Sequence, residues 1–144
     1  MLRVIVVVGM LLTVPVMADE AAIGHVKSVI GEASITTGEK TAKAEVGSPI
    51  HQGSVLQTGK KSSMGVIFRD ETVMSFGADT RFTVDEYLYA PAQGKLKFSS
   101  KMTRGSLNYV SGVIEKLKPD AVTVGTPTGI IGVRGTQFLL KVEE

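Results

Sequence analysis

The segment TGIIGVRGT, residues 128–136, carries glycine at 129, 132 and 135 and a single arginine, Arg134. Glycines at such short spacing can wrap a phosphate, and an arginine beside them can pair with it. The context argues against that chemistry. A nucleotide loop opens a helix whose N-terminus faces the phosphates and carries Lys-Ser or Lys-Thr after its glycines, whereas the strand pattern QFLLKV follows here. Glycine in a strand marks a bulge or a close backbone approach. Gly129, Gly132 and Gly135, with Ile130, Ile131 and Val133 between them, are therefore expected to let a tightly bent strand cross the core. Arg134, if buried there, needs a carboxylate or carbonyl partner whose loss would cost about 3–5 kcal/mol. It is expected to act as a structural clamp and not as a ligand-binding arginine.

The other polar residues offer little chemistry. His25 and His51 are the only two histidines, each in or beside an apparent strand and without a neighbouring ligand in sequence, so neither a zinc site nor a catalytic triad is announced. Asp79, Asp85 and Glu86 lack the D-x-D-x-D-G spacing of a calcium loop and read as a solvated strand face. No cofactor is expected. Asp85, Tyr87 and Tyr89 alternate along one side of a strand, and tyrosines beside a carboxylate make a contact surface for proteins or sugars. The competing reading packs the two rings under a neighbouring loop.

These residues must be positioned by strands. RFTVDEYLYA, residues 81–90, places Phe82, Val84 and Leu88 on one face and Thr83, Asp85, Tyr87 and Tyr89 on the other. The same period appears in 25–30, 33–36, 54–58, 64–68, 72–76, 95–98, 121–124 and 137–142, separated by Gly, Pro and Asp turn residues. This predicts an all-β domain, a two-sheet β-sandwich or jelly-roll-like roll, with one short helix in SGVIEKLK, 111–118, ending at Pro119 and plugging an open end. Gly47, Gly53, Gly59 and Gly65 recur every six residues, so a β-helix-like solenoid is the alternative, although Val46, Gln52, Thr58 and Met64 before them are not a stacked aliphatic column.

The first residues, MLRVIVVVGMLLTVPVMADE, combine Arg3, an apolar run and the small-residue pattern Val16-Met17-Ala18. A cleavable signal peptide over 1–18 is expected, with an uncleaved anchor as the alternative, followed by one domain over 19–144. No later stretch is apolar and long enough to span a bilayer. The domain has no cysteine, so its core and not disulfides must hold it, and lipoprotein processing is excluded. Lys and Arg number 16 against 14 Asp and Glu, a balance that does not suggest a nucleic-acid partner.

Taken together, GSPIHQGSVLQTGKKSSMGVIFRDETVMSFGADTRFTVDEYLYAP and GSLNYVSGVIEKLKPDAVTVGTPTGIIGVRGTQFLLKV resemble the FecR domain family of bacterial exported proteins. The most specific residues are Thr126 and Pro127 followed by Gly132, Val133, Arg134, Gly135, Thr136 and Phe138, with Thr58-Gly59 and Phe68-x-Asp70 earlier. The family commonly places glycine after the residue matching Asp70, where Glu71 stands here, so a looser or different turn is expected. The resemblance implies that the 126–138 residues are a fold signature. It also implies a periplasmic domain; the sigma-factor-binding segment and membrane helix of the family's iron-transport regulators are replaced here by a leader, so no direct contact with a cytoplasmic sigma factor is expected. The leading expectation is a non-enzymatic module that binds an envelope protein or glycan. A sensory module tied to iron-responsive transport is the second, and a wall or polysaccharide hydrolase the third.

Overall fold

The computed structural model describes residues 21–143; the expected leader at 1–18 lies outside the described residues. Within them the chain forms β1 (Gly24–Ile30), β2 (Ala33–Thr37), β3 (Lys40–Lys43), β4 (Pro49–Ile50), β5 (Val55–Thr58) and β6 (Ser63–Phe68). It continues as β7 (Val73–Phe76), β8 (Arg81–Ala90), β9 (Lys95–Val110), helix α1 (Val113–Leu117), β10 (Val122–Thr126), β11 (Gly129–Gly132) and β12 (Gln137–Val142). The all-β expectation and the single short α-helix are both met. The strands hydrogen-bond in the order β3-β2-β5-β8-β9-β7-β6-β1-β4 and curl into an antiparallel half-barrel. Among the described residues only β9 and β10 pair in parallel. That pattern rules out the solenoid, whose rungs all stack in parallel, and the glycines at 47, 53, 59 and 65 serve unrelated local roles: Gly47 and Gly53 have positive φ, whereas Gly65 lies against the Ser28 hydroxyl.

Period-two alternation drives the closure. The inward residues of β5, β6 and β7 are Leu56, Met64, Val66, Phe68, Met74 and Phe76, all buried. Each such side chain removed from water contributes about 1.5–3 kcal/mol. Phe68, Tyr87 and Phe98 meet with ring centroids 4.8–5.7 Å apart, so the β6, β8 and β9 faces are locked by aromatic contact.

β9 serves both halves of the curl. Its first part pairs with β8 on one side and β10 on the other; its last part pairs with β7 and β12. Inward positions are even up to Met102 and odd from Leu107, so the strand changes parity at a corner. Gly105 makes that corner, with φ of +104°. A Cβ there would lie 2.4 Å from the Thr80 Cα. Thr80 is buried and fastens the β7–β8 turn across β9: its hydroxyl donates to the Gly77 carbonyl at 3.0 Å and accepts from the Ser106 amide at 3.1 Å.

Gly105→Ala should therefore lose about 3 kcal/mol of stability, from the left-handed backbone penalty and the overlap with Thr80. Gly132→Ala, with open space around it and no left-handed φ, should stay within about 0.5 kcal/mol. Urea denaturation of both variants reads the difference, and equal effects would remove the corner role from Gly105.

Candidate functional site

The polar centre of the domain is Asp70, fully buried at the β6–β7 turn. Its carboxylate accepts from the Thr72 hydroxyl at 2.7 Å, the Tyr87 phenol at 2.9 Å, the Ile114 amide at 3.2 Å and the Thr72 amide at 3.3 Å. Its carbonyl accepts from the Val113 amide at 2.7 Å, and its own amide donates to the Tyr87 oxygen at 3.0 Å. One residue thus joins a hairpin turn, β8 and the first turn of α1. The close fit demands Gly112 before the helix, since a Cβ there would sit 2.4 Å from the Thr72 amide nitrogen.

The turn itself is a three-residue loop in which the Glu71 amide donates to Phe68 O at 3.0 Å and the Phe68 amide to Thr72 O at 2.9 Å. Glu71 takes φ of +71°, the left-handed position that glycine occupies most easily in such loops. The turn is not looser than a glycine would make it; Glu71 carries the strain instead.

Tyr87 is buried and not part of a surface patch. The alternation expected over 81–90 slips because the pairing of β8 with β9 shifts between Val84 and Glu86, leaving Asp85 as the extra, exposed residue of a bulge. Beyond it Tyr87 and the half-buried Tyr89 turn to the core while Leu88 faces solvent. Burial, and then the Asp70 charge, push the Tyr87 phenol well above the usual tyrosine range. Tyr109 is raised too, by burial first and then by the Glu115 and Asp70 charges. Its buried hydroxyl lies beside the Thr72 hydroxyl, which gives its own proton to Asp70 and keeps its oxygen free to accept from the phenol.

The 126–138 residues are braced from this centre but do not cross the core. β11 is exposed throughout, and of the segment only Val133 is fully buried. Glu115, on α1, accepts from the Gly135 amide at 3.1 Å; Ser111 N donates to Thr136 O at 2.9 Å; Val133 N donates to Val122 O at 3.1 Å. Phe138 packs half-buried on Tyr109 with centroids 5.0 Å apart. Arg134 does find a carboxylate, Asp120 at 2.9 Å, but the side chains are 78% and 81% exposed. Such a pair contributes about 0–1 kcal/mol, so Arg134 is a surface tether and Glu115 is the clamp. The glycines at 129 and 135 serve φ values of +153° and +115°, and no atom crowds any of the three. His25 is exposed on β1, His51 is half-buried after β4, and the carboxylate of Glu86 pairs with Lys97 at 2.9 Å.

Thr126, Pro127 and Ile131 on the β10–β11 hairpin face Leu140 and Val142 of β12 across an open cleft of about 410 Å3. Ile130 and Leu139 are 79% and 78% exposed. β11 pairs only with β10, and β12 only with β9, so each leaves an outer strand edge without a partner strand among the described residues. A model of the FecR protein family matches residues 54–144. The chain belongs to the FecR family. No match is found among curated proteins or solved structures. The family is a regulatory and signalling one, and its matched span takes in the Asp70 centre, α1 and both exposed edges. Asp70, singled out from the sequence only as a family-signature residue at a turn, is the buried polar centre, and Glu115 and Tyr109 carry weight that the sequence reading did not assign them. The Asp70-x-Thr72 spacing, which lets a carboxylate bond the backbone two residues on, was the available signal.

Two outcomes follow. Glu71→Gly should stabilise this FecR domain by about 0.5–1 kcal/mol by relieving the left-handed strain, read as a higher urea midpoint. Raised phenol values mean that folding stability is fully present below pH 10, the ordinary tyrosine value, and is lost as pH rises above it. Each of Tyr87 and Tyr109 should contribute a fall of about 1.4 kcal/mol per pH unit there, and phenolate absorbance from both should appear only with unfolding.

Proposed function

We propose that this FecR-family domain is a non-enzymatic binding module of the periplasm that captures another envelope component, a protein or a glycan, through the exposed edges of its last strands. The observation that supports it is a contrast between edges. β3 is bounded by Lys40 and Lys43 and β4 opens with Pro49, devices that discourage indiscriminate strand pairing. β11, with the sequence GIIG, has neither charge nor proline and exposes Ile130. An uncharged free edge beside a cleft whose apolar lining is Pro127, Ile131, Leu140 and Val142, with Lys141 and Glu143 also lining it, suits the addition of a partner's extended strand, with side chains seated in the cleft. The buried carboxylate–phenol pair at Asp70 and Tyr87 is closed to solvent and serves the fold, so the reading assigns no catalytic residue.

Membership of a signalling family favours a second reading, in which the captured partner makes the domain a sensory element of iron-responsive transport.

A photocrosslinking residue at position 130, in cells, should give a discrete adduct that the same residue at the exposed position 30 does not. Ile130→Lys, with crosslinking moved to position 139, should remove that adduct and leave the melting temperature within about 2 °C. An adduct that survives Ile130→Lys would reject β11 as the docking edge. Iron-uptake transcripts altered equally by deletion and by Ile130→Lys would select the sensory reading; unchanged transcripts would reject it.

A further inference from the structure

The strand path ends at β3 on one side and β4 on the other, and residues 44–48 connect these two ends. Between them lies a cleft of about 270 Å3 with Ile35, Ala42 and Pro49 as apolar lining and Lys40, Lys43 and His51 around it. No carboxylate lines it, and neither lysine has a carboxylate partner among the described residues. The volume is below the roughly 300–1,000 Å3 of sites that enclose a small molecule, and suits one or two anchoring side chains.

The free edge beside the cleft has defined donors. β2 and β3 are joined by the two-residue turn Gly38-Glu39, with Thr37 opposite Lys40. The Ala44 amide donates to Ala33 O at 2.9 Å, so even-numbered residues of this stretch bond to β2. Thr41 and Lys43 therefore direct their N–H and C=O groups away from β2, toward the unpaired side. A second copy of β3 laid there would bring its lysines beside these two, and a basic strand would be repelled in the same way. An acidic strand would instead neutralise both lysines, so the residues that guard this edge also select what can pass.

We infer that the β3 edge takes an acidic extended segment of a partner polypeptide, hydrogen-bonded to Thr41 and Lys43, with its carboxylates on Lys40 and Lys43 and an apolar side chain in the cleft. This surface is separate from β11, and the inference stands whether or not β11 docks a partner.

The test is selection of a random decapeptide library on the whole domain. Enriched peptides should be rich in Asp and Glu, and should slow hydrogen exchange at the Thr41 and Lys43 amides. The double variant Lys40→Glu, Lys43→Glu should weaken them at least about tenfold. Thr41→Pro, which removes one outward donor at an edge position and keeps every charge, should also weaken them about tenfold. Melting curves matching the unmodified domain establish that both variants fold. Enrichment without acidic residues overturns the inference, as does no enrichment. Acidic binders indifferent to Thr41→Pro would also overturn it, showing simple ion pairing; heparin competing equally well with them would show a polyanionic glycan site.

Discussion

The buried carboxylate of Asp70 is the interaction on which the domain's tertiary arrangement depends. A carboxylate taken out of water is tolerated only where donors replace its hydration, and four donors do so here from three separate pieces of chain. Without that acceptor the Tyr87 phenol, the Thr72 hydroxyl and the Ile114 amide would be buried and unpaired, at about 1–3 kcal/mol each. The anchor on Ile114 has a further consequence. A five-residue helix is far too short to persist alone, and Gly112 offers it no side-chain cap. Asp70 does what a cap would do, from across the fold. Because α1 is held, Glu115 is held, and Glu115 secures Gly135.

The second constraint is β9. A strand that pairs on both sides in each of its two halves is the natural keel of a curled sheet, and the parity change at Gly105 turns one strand into a member of both walls. It also decides where the free edges fall. β10 and β12 line the flank of β9 that β7 and β8 leave open, one parallel and one antiparallel. Neither is itself covered by the rest of the path, so β11 and β12 end as outer strands. The exposed isoleucines and Leu139 follow from topology as much as from composition.

Element positions were largely legible in the sequence. The span 81–90 is β8 to the residue, and α1 falls inside 111–118 before Pro119, because alternation, helical spacing and turn residues are local signals. Facing was less legible. Asp85 fits an unbroken alternation as well as a bulged one, and the choice is made by pairing with β9, which no local pattern contains. Missing that one extra residue reverses Tyr87, Leu88 and Tyr89 together. The glycine triplet misled for a related reason: glycine marks either close approach or positive φ, and only the fold tells which. Short elements such as β3 and β4 were not marked as strands, since KTAK and PI have no periodicity to read.

The distribution of order bears on function. The Asp70 centre, the Phe68–Tyr87–Phe98 contact and the Thr80 corner concentrate the domain's specific contacts on β6 to β9 and α1. The β10–β11 hairpin and β12 join that frame through the pairing of β10 and β12 with β9 and through the bonds at Gly135 and Thr136, while β11 itself is held only by β10. β11, paired with β10 along one side and uncharged along the other, presents its outer backbone groups in a set orientation. Ordering a strand costs about 1–2 kcal/mol per residue, and here the frame has already met that cost for the receiving edge. An incoming strand must then order only itself, which is the condition under which backbone pairing over four residues can contribute usefully to binding.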